Sequence, residues 1–166
     1  FLFFYFFSFL LDEFDGVMAR KYNQTSNFGG ILDMIIDRIS TSGLLCILSI
    51  LYPEQYFTFV CLMMLDIGSH WLQTHSALLE TGPHANHKNL KEPYWLLELY
   101  YQSRLALCVI GWAAEIFLAQ IYYLHFFTDS LQNPLFLNLI YVSFPFYVLK
   151  QIISILQIFS ASERIL

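Results

Sequence analysis

Charged residues are scarce in this sequence. They make up 13% of the 166 residues, about half of the ~25% found in an average soluble domain. Residues of the set AVILMFWYC make up 57% instead. Because a soluble domain covers its surface with charged side chains, this composition excludes an ordinary soluble domain. It predicts an all-α fold, a polytopic bundle of transmembrane helices in a single domain over residues 1–166.

Cysteine and net positive charge are also lacking. The three cysteines, Cys46, Cys61 and Cys108, all lie in apolar segments, so a secreted disulfide scaffold is excluded. The formal net charge of −5 argues against a nucleic-acid partner, because binding to phosphates needs a basic surface.

Five apolar segments alternate with polar ones, and their lengths of about 20–25 residues fit membrane-spanning helices. They cover residues 1–20, 28–51, 56–79, 101–127 and 135–159. The first begins with Phe1 rather than Met, and its apolar run ends at Leu11, which is too short to cross a bilayer. We therefore expect the chain to be truncated at its N-terminus, with part of a helix missing.

The basic residues predict the orientation in the membrane. All eight lie in or nearest to three segments on one side, namely the 21–27 loop, the 80–100 loop and the C-terminus. The opposite connections, near Pro53 and near Asp129, contain none. The positive-inside rule places the basic side in the cytoplasm.

Four aspartates lie on that same side, and carboxylates in membrane segments are costly and usually functional. Asp12 and Asp15 are three residues apart, and Asp33 and Asp37 are four apart, so each pair shares one helix face. The short 21–27 loop lets the two helices pack antiparallel, which would bring the four carboxylates together. Their mutual repulsion would be relieved by two divalent cations, which neutralise four carboxylates. Oxygen ligands select hard ions such as Mg²⁺ or Mn²⁺, and a site with two such ions is suited to displacement at phosphorus. The alternative is that these aspartates merely end two helices.

Three residues beside the aspartates suit a phosphate ligand. Arg20 can form a bidentate contact with a phosphate group. Gly16 and Gly29 let a bulky ligand approach the backbone closely. No Ser-His-Asp or Cys-His pattern predicts a covalent intermediate, so direct displacement is favoured.

The spacing of these residues resembles the signature of the CDP-alcohol phosphatidyltransferase family. The matching pattern is Asp12-x2-Asp15-Gly16-x2-Ala19-Arg20-x8-Gly29-x3-Asp33-x3-Asp37. Eukaryotic members that use myo-inositol are similar to this chain in three segments, DGVMARKYNQTSNFGGILDMIIDRIS, DIGSHWLQTHS and LYYQSR. The resemblance implies six transmembrane helices in the full-length protein, of which about five are present here and the first is missing. It also implies a homodimer in the endoplasmic reticulum membrane.

The resemblance further implies an activity and the residues that perform it. The reaction is transfer of the phosphatidyl group from CDP-diacylglycerol to myo-inositol, giving phosphatidylinositol and CMP. The implied metal ligands are Asp12, Asp15, Asp33 and Asp37. The implied CDP-diacylglycerol ligands are Gly16, Ala19, Arg20 and Gly29. Asp37 is also the implied catalytic base, which accepts the proton of an inositol hydroxyl as that hydroxyl attacks.

Residues outside the motif give a prediction for the inositol pocket: Asp66, Ser69, His70, Lys88 and Arg104. Asp66 lies in the middle of an apolar segment, and Ser69 and His70 are its neighbours on a helix. The alternative is a polar contact between helices that aids packing. Lys88 and Arg104 are otherwise ordinary basic residues of the cytoplasmic side.

Other functions stay open at this point. The motif does not fix the acceptor, so another family member would use glycerol phosphate, serine or choline. An acidic cation site would also suit a transporter or channel, although Arg20 favours a phosphate ligand over a cation pathway. The third alternative is an inactive structural subunit, since the chain lacks the first helix of the family.

Overall fold

The computed structural model describes residues 1–24, 26–81 and 93–166, and these residues form six α-helices and no strand. The helices are α1 (Leu2–Lys21), α2 (Asn27–Leu51), α3 (Tyr56–Thr81), α4 (Trp95–Gln102), α5 (Arg104–Phe126) and α6 (Pro134–Ile165). The all-α prediction is confirmed, and five helices correspond to the five apolar segments. Sequence analysis does not predict α4, because this helix of 8 residues directly follows a polar segment.

Polar caps and prolines set the starts of these helices. The Ser26 hydroxyl accepts a hydrogen bond of 3.0 Å from the Gly29 amide at the start of α2, and Ser103 caps α5 in the same way. At the start of α6, the Asn133 side chain is the cap and Pro134 occupies the first turn, where no N–H is needed. The capping residue Ser103 is also the single residue between α4 and α5.

Three helices are long and apolar enough to cross a bilayer, among the residues that the structure describes. These spans are Phe28–Leu51, Arg104–Phe126 and Pro134–Ile165. Helices α1 and α3 are 20 and 26 residues long, but they carry more charged or polar side chains and are not in this set. The prediction of five apolar spanning helices is thus confirmed for three of them, as in a multi-pass membrane protein.

Helix α6 lies at the centre of the bundle, where it packs against α3 and α5, while α2 packs against α3. The core between them contains Leu44 and Leu48 of α2, Leu118 of α5 and Tyr147 of α6. Large apolar side chains also cover the outside of the bundle, and Leu135 at the start of α6 is 78% exposed. A surface of this kind is suited to contact with lipid.

Candidate active site

A cavity of about 300 Å³ lies among the helices, and much of the predicted acidic motif lines it. All six helices contribute residues, with α3 contributing one. The predicted site residues on its wall are Asp12, Gly16, Arg20, Asp33, Asp37, His70 and Arg104. The turn between α1 and α2 therefore brings both halves of the motif to one cavity.

Other predicted site residues are not on the cavity wall: Asp15, Ala19, Gly29, Asp66 and Ser69. Asp15 is exposed on α1. Gly29 lies in the first turn of α2, where a Cβ would come within 3.2 Å of the capping Ser26 hydroxyl. Lys88 lies outside the described residues. The roles assigned to these residues stay predictions.

The glycine of the motif, Gly16, gives space to Arg20 one helical turn later. A Cβ added at Gly16 would lie 3.4 Å from Nη1 and 3.5 Å from Nη2 of Arg20. Because no side chain is there, the guanidinium folds back along α1, and both residues line the cavity. A guanidinium in this position is suited to bidentate contact with a phosphate.

Asp12 interacts with the other carboxylates of the motif. Burial raises the pKa of Asp12 to about 7, together with a hydrogen bond to Asp33 and the negative charges of Asp33, Asp37 and Asp15. Asp12 belongs to the polar half of α1, outside the three apolar spans. A cation would relieve this repulsion, and oxygen donors alone suit Mg²⁺ or Mn²⁺. The donor chemistry fits such ions, although no three carboxyl, imidazole or thiol groups of the described residues are close enough to hold one ion together.

Asp37 is half-buried in the cavity wall, one helical turn after Asp33. Its carboxylate Oδ2 lies 3.6 Å from Nη2 of Arg38. Its backbone carbonyl oxygen lies 3.0 Å from the Thr41 hydroxyl, whose single hydrogen is shared between this carbonyl and Glu115. Asp37 therefore presents a carboxylate to the cavity from a well-defined place on α2, which a general base requires.

A buried ion cluster joins α2, α3 and α6, and sequence analysis does not predict it. Asp66 is 3% exposed, and its two carboxylate oxygens accept hydrogen bonds of 2.7 and 2.8 Å from Nη1 of Arg38. Lys150 donates a third, of 2.6 Å, from its Nζ to Oδ1. Asp66 thus makes a polar contact between helices, which is the alternative that the sequence offers to a role in the inositol pocket. Its partners Arg38 and Lys150 line the cavity.

The ion cluster contains two of the eight basic residues from which the orientation is predicted. Arg38 and Lys150 lie inside the bundle, so they do not count toward the basic side. Arg20 and Arg104 remain at helix ends, and Nη2 of Arg104 is 3.6 Å from Oε1 of Glu13, which joins the start of α5 to α1. These ends lie on the same side as the acidic motif, as the sequence predicts.

Glu115 connects α5 to the two helices that carry the motif. Its isolation in an apolar segment predicts a hydrogen bond between helices or subunits. Tyr5 of α1 donates a hydrogen bond of 2.5 Å to its Oε2, and Thr41 of α2 donates one of 2.8 Å to its Oε1. The prediction of a bond between helices is confirmed, and these contacts place α1 against the cavity.

Ser69 and His70 form hydrogen bonds within α3. The Ser69 hydroxyl and Nδ1 of His70 both donate to the backbone carbonyl of Asp66, at 3.1 and 2.8 Å. Of the two residues, only His70 reaches the cavity wall. His70 is therefore the member of this segment that can meet a ligand directly.

Comparisons with known proteins identify the family. The family model for CDP-alcohol phosphatidyltransferase matches residues 1–162. The chain belongs to the CDP-alcohol phosphatidyltransferase family. No solved structure matches it significantly.

Three curated relatives of this chain share the name CDP-diacylglycerol–inositol 3-phosphatidyltransferase. The relative from Saccharomyces cerevisiae is 41% identical over 90% of this chain and 66% of its own length. The relative from Homo sapiens is 38% identical over 97% of this chain and 76% of its own. The relative from Arabidopsis thaliana that is numbered 1 in its name is 45% identical over 68% of this chain and 48% of its own length. The chain thus spans between about half and three quarters of the length of these relatives.

The cavity is also lined by residues that sequence analysis does not assign to the site: Arg38, Tyr100, Tyr101, Glu115, Lys150 and Gln157. Arg38 and Lys150 are charges in apolar segments, the same signal that identifies Asp33. Tyr100 and Tyr101 belong to α4, and nothing in the local sequence distinguishes them from aromatic residues at a membrane surface.

Proposed function

We propose that this chain is the catalytic part of a phosphatidylinositol synthase, which transfers the phosphatidyl group of CDP-diacylglycerol to myo-inositol and releases CMP. The observation that carries the proposal is the acidic motif of α1 and α2 on the wall of one cavity, in a chain of this family. The printed names of the relatives support inositol as the acceptor.

Two divalent cations, Mg²⁺ or Mn²⁺, belong to the proposal, since CDP-alcohol phosphotransferases generally depend on divalent metal. Asp12, Asp15, Asp33 and Asp37 would hold them, and the mutual effect of these carboxylates on the pKa of Asp12 supports this assignment. When bound, the ions would stabilise negative charge on the diphosphate and on the leaving CMP.

The protein residues around that site bind the nucleotide and move a proton. Arg20 contacts a phosphate oxygen, and Gly16, Ala19 and Gly29 are the further residues that the family resemblance assigns to binding of the CDP group. Asp37 accepts the proton of the attacking inositol hydroxyl. The hydroxyl oxygen then forms a bond to the phosphorus of the phosphatidyl group while the bond from that phosphorus to the CMP oxygen breaks.

The inositol pocket belongs beside His70 and Arg104, which line the cavity. Asp66 acts there through Arg38 and Lys150, which it holds at the cavity wall. Ser69 and Lys88 complete the residues that the sequence assigns to this pocket.

The protein belongs in the endoplasmic reticulum membrane as a homodimer, with its active site facing the cytoplasm. The helix ends that carry Arg20 and Arg104 support this orientation, since basic residues favour the cytoplasmic side. Inositol and the CDP group would enter from that side, and the acyl chains would lie between helices in the lipid.

The test of the proposed function is release of CMP from CDP-diacylglycerol by the full-length protein in the presence of one alcohol at a time. Inositol, glycerol phosphate, serine and choline form the panel, and a reaction without alcohol is the blank. We expect CMP release with inositol and none with the other three alcohols. Release with another alcohol and none with inositol would show that the acceptor is wrong but the reaction class is right.

A further inference from the structure

Gln157 of α6 has a buried polar atom that the described part of the chain leaves without a partner. Its side chain lines the cavity and is 1% exposed. Its Nε2 donates a hydrogen bond of 2.7 Å to the Tyr101 hydroxyl, whereas its Oε1 accepts none within residues 1–24, 26–81 and 93–166. Buried amide oxygens are nearly always paired, because an unpaired one loses the hydrogen bonds it makes in water. This oxygen is therefore suited to a hydrogen-bond donor in the cavity.

The position of Gln157 relates it to the rest of the site. It follows Lys150 by two helical turns on the same face of α6, about 10 Å along the helix axis. Lys150 is held by Asp66 and Gln157 by Tyr101, so both are fixed by contacts to other helices. The wall that α6 presents to the cavity thus carries a cation at one end and an amide at the other.

We propose that Gln157 determines acceptor specificity, by accepting a hydrogen bond from one hydroxyl of the polyol acceptor at its Oε1. This inference rests on the proposed function and names a residue for its acceptor site. A polyol offers a donor at each carbon, whereas the donors of CDP-diacylglycerol are confined to its ribose and cytosine. A site that pairs with a substrate hydroxyl discriminates strongly against the analogue that lacks it, because the buried group is then left unpaired.

The experiment pairs a side-chain change with removal of single hydroxyls from the substrate. Gln157→Met keeps the length of the side chain and removes both polar atoms. The full-length wild-type protein and this variant are assayed for CMP release with myo-inositol and with each monodeoxyinositol. For one deoxyinositol, we expect the wild type to show a kcat/KM about 10- to 100-fold lower than with inositol, and Gln157→Met to show a ratio near one.

Two further variants control for folding and for the type of atom. Gln120→Met makes the same chemical change at a buried glutamine of α5, which bonds to Ser143 and is not on the cavity wall. It should keep the wild-type preference. Gln157→Glu keeps an acceptor oxygen and should also keep most of the preference for the hydroxyl.

The outcomes separate this inference from the proposed function. Loss of the preference in Gln157→Met, with the KM for CDP-diacylglycerol changed by less than about twofold, supports the inference. An unchanged preference for every deoxyinositol overturns it, as does an effect confined to the KM for CDP-diacylglycerol, whose ribose and cytosine also carry donors. No inositol-dependent CMP release by the wild type would overturn the proposed function, and the inference with it, before any variant is compared.

Discussion

Replacing Asp66 by Asn tests the buried ion cluster most directly. Asn keeps the shape of the side chain but removes the negative charge that Arg38 and Lys150 contact at 2.6–2.8 Å. Removing one partner of a buried ion pair costs about 3–5 kcal/mol of folding free energy, because the remaining charge stays buried without compensation. Lys150→Met leaves the Arg38–Asp66 pair intact and loses one charged hydrogen bond, which costs about 1.5–3 kcal/mol. Asp66→Asn should therefore be the more destabilising change.

The free energy of unfolding can be measured by reversible denaturation with SDS in mixed micelles, followed by circular dichroism. Ser69→Ala is the matched control on the same helix. The Ser69 hydroxyl contacts the Asp66 carbonyl and His70, both within α3, and neither contact is an ion pair between helices. It should cost about 1 kcal/mol or less. The double variant Asp66→Asn with Lys150→Met should lose less than the sum of the two single changes. Equal losses for Asp66→Asn and Ser69→Ala would refute the reasoning from charge.

Three further predictions concern the candidate active site, and a fourth concerns the orientation in the membrane. Excess EDTA should abolish CMP release and added Mg²⁺ or Mn²⁺ should restore it, whereas full turnover in EDTA would contradict the metal assignment. Asp37→Asn should remove turnover while nucleotide affinity stays largely intact, and Asp12→Asn should weaken both; equal losses of affinity would remove the separate role of Asp37 as base. Arg104→Ala should raise the KM for inositol more than that for CDP-diacylglycerol, and an unchanged inositol KM would leave it an ordinary basic residue of the cytoplasmic side. The orientation can be tested in sealed microsomes with a variant that lacks the native cysteines: a cysteine at Gln24 should react with an impermeant reagent from outside, and a cysteine at Asp129 should not. The reverse labelling pattern would show that the predicted orientation is wrong.

Local spacing explains why the acidic motif could be predicted and the ion cluster could not. Asp33 and Asp37 are one turn apart, so a helix alone places them on one face, and the short connection to α1 supplies Asp12. Asp66 meets partners 28 and 84 residues away in sequence, and no periodicity within one helix indicates which helices will be neighbours. The same limit applies to α4, a helix of 8 residues without a side-chain cap, whose place is set by burial of Leu97 against α5 and α6.

Helix α6 is longer than a bilayer requires, and this has a consequence for the cavity. Its 32 residues extend about 48 Å, against a hydrocarbon thickness of about 30 Å. The last turns make polar contacts, from Tyr94 to Glu163 at 2.8 Å and from Arg164 to Ser76 at 3.3 Å, so the surplus length suits the water-facing end. A helix that is longer than the hydrocarbon layer tilts, kinks or locally thickens the bilayer. Because Lys150 and Gln157 move with α6, the shape of the cavity, and with it the rate of the proposed reaction, should respond to the acyl-chain length of the surrounding lipid.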